Sequence, residues 1–119
     1  MRNFLIGRVK SLKYALRGMF LLLKTEHAVI SQFSIAMVFI VLGFYFEISR
    51  MEWIIQLLLM GLVLAVESLN TAIEKLCDYI HPDFHSRIGL IKDISAGAVS
   101  FAVIFTIIIA AIIYFPYIF

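Results

Sequence analysis

The apolar positions of this chain fall into three long runs, each bounded by charged or aromatic residues. The first runs from about Ala28 to Phe46, the second opens at Trp53, and the third covers about Ile94 to Tyr114. About 20 apolar residues is the length at which a helix crosses a bilayer. The connection FEISRME is short, so the first two runs form a helical hairpin. Tyr45, Phe46 and Trp53 mark its interface, to which Tyr114 and Tyr117 return. The second run stays apolar to Val66, then turns polar on one side; its helix continues to about Ile80 and stops before Pro82. The pattern thus predicts spans at 28–46, 53–73 and 94–114, with HPDFHSRIGLI as a polar loop before the last. Residues 3–24 follow another pattern. Leu5, Val9, Leu12, Leu16, Met19 and Leu23 form a stripe, with Lys10, Lys13, Arg17 and Lys24 on a neighbouring flank. Such a helix suits the headgroup plane, its basic stems snorkelling to phosphate; packing against the bundle is the alternative.

Composition sharpens this picture. A chain of 119 residues, 63% hydrophobic and 15% charged, makes one all-α integral membrane domain covering residues 1–119 rather than a soluble one. The net charge of +2 matters less than its distribution. Arg2, Arg8, Lys10, Lys13, Arg17 and Lys24 precede the first span, Arg50 sits in the next connection, and Lys75, Arg87 and Lys92 surround the third. The positive-inside rule places the N-terminus and residues 75–93 in the cytoplasm, and the 47–52 loop and C-terminus on the other side. The basic start leads into an interrupted amphipathic pattern, unlike a signal peptide. The basic residues flank spans, which argues against nucleic-acid binding. Cys77, the single cysteine, has no internal disulfide partner and reads as a packing residue. Ala96 with Ser100, and Ala98 with Ala102, allow close helix approach; three spans bury little within one subunit, which favours a homo-oligomer.

The candidate chemistry lies at the end of the second run, in ESLNTAIEKLCD. Glu67, Asn70, Glu74 and Asp78 follow at spacings of three, four and four, and so share one helix face. Acids beside hydrocarbon are costly and point to a hard cation, a proton path or a buried partner. Mg²⁺ takes one or two carboxylates together with nucleotide phosphates, a carboxylate can accept a proton from a hydroxyl, and Lys92 offers a mobile charge for phosphate. Glu26 adds an acid at the depth of Glu74. These are parts of a phosphoryl-transfer site. A solvated helix end is the competing reading of Glu74, Lys75 and Asp78. Neither a Walker A loop nor GxGxxG occurs, which excludes the common nucleotide folds. His81 and His85 lie four apart but straddle Pro82, a weak zinc pair.

ESLNTAIEKLCDYI, then His85, then KDISAGAV, resembles the small prokaryotic diacylglycerol kinases and undecaprenol kinases, whose pattern is Glu-x-x-Asn-[Ser/Thr]-Ala-x-Glu-x-x-x-Asp, later His, later Lys-Asp. The resemblance covers nearly the whole chain, including Tyr14, Gly18 and Glu26. It implies a homotrimer in the bacterial inner membrane that transfers the γ-phosphate of MgATP to a lipid hydroxyl, at sites between subunits. It further implies Glu67 as the base, with Asn70 holding the geometry, and Glu26 and Glu74 as ligands of Mg²⁺. Lys92 would contact phosphate, with Tyr14, Asp78, His85 and Asp93 on the nucleotide side.

The chain departs from the family pattern at Ile30 and Leu90, where a basic residue is common, and at Phe84, where Tyr is common; Arg87 is a candidate replacement. These changes touch the outer nucleotide contacts. KDISAGAV is similar to undecaprenol kinases and Gly89 to diacylglycerol kinases. Diacylglycerol is the leading acceptor expected and undecaprenol the alternative. A small proton-coupled transporter also carries a Glu within a span, but usually has four spans with that Glu in the first. A non-catalytic membrane subunit is the remaining reading, and ATP consumption with lipid separates both from a kinase.

Overall fold

The structure, a computed structural model, describes residues 1–119 as four α-helices: α1 (Arg2–Thr25), α2 (His27–Tyr45), α3 (Arg50–Ile80) and α4 (Ser86–Ile118). There is no strand. Three helices, α2, α3 and α4, are long and apolar enough to cross a membrane. The 31 residues of α3 extend about 46 Å, beyond the roughly 30 Å of hydrocarbon, so part of this helix must stand outside it.

Each boundary has a local cause. α1 breaks at Glu26, whose extended backbone (φ −100°, ψ 109°) starts α2 in a new direction. α2 ends in a Schellman motif: Ile48 N–H donates to the Gly43 carbonyl and Glu47 N–H to that of Phe44, with Glu47 left-handed at φ 52°. α3 then opens on a capping box, Ser49 Oγ accepting from Glu52 N–H at 3.2 Å while Glu52 Oε1 accepts from Ser49 N–H at 2.9 Å. It begins at Arg50, three residues ahead of the predicted span. Pro82 follows its end, as expected. α4 begins at Ser86, so half of the predicted polar loop is helix; His85 caps it by accepting from Arg87 N–H at 3.1 Å. It runs on past Tyr114 through Pro116, which leaves the Ile112 carbonyl without its helical donor but lies too near the end to break the helix.

α3 is the central element, packed mainly on α4 and also on α2, while α1 meets α2. α3 and α4 run antiparallel in a register tied at both ends. Gln56 pairs with Tyr114 and Asp78 with Lys92, and each pair lies equally far from the other along its helix. Tyr117 Oη adds a bond to Glu52 Oε1 at 2.5 Å. α2 joins through its Phe39 carbonyl, which accepts from Gln56 Nε2 at 3.1 Å and Tyr114 Oη at 3.2 Å. Around these bonds Ile48, Ile113 and Tyr114 form a small core that includes Phe39, Phe46 and Trp53. The Trp53 ring lies over Gly43, where an added Cβ would come within 2.8 Å of it.

The radius of gyration is 17.9 Å, against about 13.5 Å for a compact chain of this length. Extents of 50 × 48 × 23 Å exceed, in the second direction, three helices packed about 10 Å apart, so α1 projects sideways from the bundle. No residue of α1 is buried. Only 13 of 119 residues are buried in all, so most apolar side chains face outward, where lipid or another subunit must cover them.

Candidate functional site

The α3 face expected to carry the chemistry is the one turned into the bundle in its middle part. Glu67, Asn70 and Thr71 are all buried, while Glu74 and Asp78 emerge on the same face toward Pro82. Thr71 Oγ1 donates to the Glu67 backbone carbonyl at 3.0 Å, which holds this turn without using the carboxylate. No side chain pairs with that carboxylate, although only 7% of Glu67 is exposed. Burying an acid without a partner is expensive, so packing alone does not account for it.

Asn70 links the buried acid to the exposed one. Its Nδ2 donates to Glu74 Oε1 at 3.2 Å, and its Oδ1 is buried with no donor. Glu74 therefore has an oriented carboxylate with one oxygen unengaged. Glu26, on the break between α1 and α2, is tied by a 3.0 Å ion pair to Lys75, the neighbour of Glu74. Thr25 Oγ1 lies 3.4 Å from the same Glu26 oxygen. The pair ties the start of α2 to the polar part of α3.

Four of the residues expected on the nucleotide side come together. Asp78, His85, Lys92 and Asp93 line one cleft of ≈ 260 Å³ between the ends of α3 and α4, with His81, Asp83, Phe84 and Gly89. Lys92 Nζ lies 2.5 Å from Asp78 Oδ1. Both are substantially exposed, so this pair is weak enough to yield the lysine to a competing anion. The His81 and His85 rings stand 5.0 Å apart, but His81 Nδ1 bonds the Asp83 carbonyl and His85 Nδ1 caps α4. Tyr14 does not join the cleft; it lies exposed on α1. Arg87 is exposed outside the cleft lining.

The donors fit Mg²⁺ in kind. No three His, Cys, Asp or Glu side chains converge within the chain, but Mg²⁺ bound with a nucleotide asks for only one or two carboxylates. An exposed, oriented Glu74 matches that need, while Glu26, the other carboxylate expected there, is paired with Lys75.

The sequence reading missed the second half of the α3 face. Gln56 is a buried amide in an apolar run, eleven residues from Glu67 and so on the same side of the helix. That isolated polar residue was the available signal.

Comparison with known proteins agrees with the residue pattern. A family model described as prokaryotic diacylglycerol kinase matches residues 13–114. An undecaprenol kinase of Bacillus subtilis (strain 168) is 36% identical over 115 residues, which are 97% of this chain and 94% of the relative. A diacylglycerol kinase of Haemophilus influenzae is 32% identical over 94 residues, 79% of this chain and 80% of that protein.

Proposed function

The chain belongs to the prokaryotic diacylglycerol kinase family, a family of lipid kinases, and from that premise we propose that it transfers the γ-phosphate of MgATP to the primary hydroxyl of a membrane lipid. The observation that carries the mechanism is Glu67, a largely buried residue on the polar face of α3 whose carboxylate pairs with no other side chain. Glu67 takes the proton from the lipid hydroxyl as the oxygen attacks the γ-phosphorus. The bond from that phosphorus to the β–γ bridging oxygen breaks, and ADP leaves. Asn70, between Glu67 and Glu74, holds the reacting groups in line. Glu26 and Glu74 hold Mg²⁺, which when bound neutralises phosphate charge. Lys92 moves from Asp78 to phosphate, and Asp78, His85 and Asp93 shape the nucleotide side.

Seven residues separate Glu67 from Glu74, about 10 Å along the helix. The lipid therefore approaches from the Glu67 side and ATP from the cleft, meeting near Asn70. The protein works as a homotrimer in the bacterial inner membrane, with α1 at the headgroups and the cleft in the cytoplasm. The distribution of Lys and Arg supports this orientation. Cysteines at positions 85 and 50 should be labelled from the cytoplasmic and outer sides respectively; the reverse would overturn it.

The acceptors expected from the sequence, diacylglycerol and undecaprenol, both present a primary hydroxyl at the interface. Purified protein given labelled ATP, Mg²⁺ and, separately, diacylglycerol, undecaprenol or ceramide should move label into a lipid alcohol. ATP turnover without lipid product, or no turnover, would overturn the reading.

A further inference from the structure

Two lysines are paired with acids in the polar region of the chain: Lys92 with Asp78 inside the cleft, and Lys75 with Glu26 outside its lining. Lys75 directly follows Glu74 on α3, and its Nζ lies 3.0 Å from Glu26 Oε1 at the break between α1 and α2. No other side-chain hydrogen bond or ion pair joins that break to α3. The contact is therefore the one polar tie between the residue that starts α2 and the helix that carries Glu74.

The acid side of the pair is fixed and the lysine side is free. Glu26 N–H donates to the Leu22 carbonyl at 3.1 Å, and its own carbonyl accepts from Ile30 N–H at 2.9 Å, so its backbone is held from both helices. Thr25 Oγ1 lies 3.4 Å from the same Oε1, but it has one hydroxyl proton and donates it to the Leu21 carbonyl at 2.7 Å. The Glu26 carboxylate thus depends on Lys75 for its ion pair. Its side chain is 23% exposed, against 66% for Lys75. A partly sheltered carboxylate faces a cation that stands in water on a flexible stem.

Such a pair is built to be exchanged. Ion pairs this open to water are weak, and the lysine can leave without disturbing any packing. A divalent ion carries twice the charge and binds carboxylate oxygen directly. Building on the lipid-kinase reading, in which Glu26 holds Mg²⁺, we infer that Lys75 is a positioning residue that keeps the place of the metal on Glu26 in the empty protein and yields it when Mg²⁺ arrives with nucleotide. One cation replaces another, so the sheltered carboxylate is never left without a counter-charge. The lysine also sets a threshold, because the metal must displace it before Glu26 becomes a ligand.

The test is a binding measurement on the full-length protein in detergent micelles. Mn²⁺ is titrated in the presence of a non-hydrolysable ATP analogue, and free Mn²⁺ is read from its electron paramagnetic resonance signal. Lys75→Met keeps the apolar stem and removes the competing charge. It should tighten Mn²⁺ binding by about 2–5-fold, the factor an exposed ion pair can supply. Lys75→Arg keeps the charge and should not tighten it. Glu26→Gln should weaken binding, and adding Lys75→Met to Glu26→Gln should bring no further change, since the lysine then has no acid to occupy. Unchanged or looser binding in Lys75→Met overturns the inference. So does equal tightening in the Glu26→Gln background, which would make Lys75 a plain repelling charge. In both cases a weakened Glu26→Gln leaves the kinase reading standing. If Glu26→Gln binds Mn²⁺ as well as wild type, the metal-ligand assignment falls together with the inference. A wild-type protein that binds no Mn²⁺ with the nucleotide removes the kinase reading as well.

Discussion

Replacing Glu67 by Gln tests the proposed base with little structural disturbance. Gln keeps the volume of a residue that is only 7% exposed, so no cavity opens. The carboxylate takes no ion pair or side-chain hydrogen bond, and the Thr71 bond goes to the backbone, so no partner is orphaned. The melting temperature in detergent should therefore stay close to that of wild type. The amide cannot accept the hydroxyl proton, and a positioned base contributes about 10²–10⁴ in rate, or roughly 3–5 kcal/mol of barrier. The proposed nucleotide side begins at Glu74, about 10 Å away along the helix, so ATP affinity should be nearly unchanged. Nucleotide titration and single-turnover transfer on the same preparation separate these quantities. A variant that lost ATP binding but kept its rate at saturating ATP would make Glu67 a nucleotide ligand and refute the assignment.

Three further outcomes are expected. Glu74→Gln should raise the Mg²⁺ concentration needed for half-maximal rate by about 10–100-fold with the fold intact, read from a Mg²⁺ titration, since its one side-chain partner is Asn70; near-normal activity at ordinary Mg²⁺ would remove Glu74 from the site. Lys92→Met should raise the KM for ATP without changing thermal stability, because the pair it breaks with Asp78 is exposed; a large stability loss would make it a structural tie. Glu47→Gly should stabilise the protein by about 1 kcal/mol in a detergent unfolding titration, because Glu47 is left-handed at φ 52°, where glycine carries no Cβ strain.

Periodicity revealed the spans because three apolar runs of membrane length leave few alternatives, and it revealed the α3 column because three–four spacing is a local property of a helix. Features that depend on contact or on backbone geometry were less legible. SRIGLIKD is polar and contains Gly89, so it reads as loop; in the structure Lys92 reaches Asp78 of α3, His85 caps the first turn, and the segment is helical. Ser49 and Glu52 already formed an S-x-x-E signature, which a reading of FEISRME as a simple connection passed over. Glu47 gives no sign of its left-handed backbone, since Gly or Asn is the usual residue there. The pairing of Gln56 with Tyr114 joins positions far apart in the chain, and no periodicity in either helix announces it.

That pairing bears on how the proposed site could keep its geometry. Glu67 lies between two ties of α3 to α4: Gln56 with Tyr114 on one side, and Asp78 with Lys92 on the other. The first is buried and also engages the Phe39 carbonyl of α2. The second is exposed and weak. A ligand that draws Lys92 away from Asp78 can loosen the cleft while the buried tie keeps the helices in register. Rigidity at the Gln56 end and freedom at the Lys92 end follow from burial alone. The exposed lysine is then free to exchange its anion while the buried acid stays in the tied part of the helix pair, as positioning a proton transfer requires.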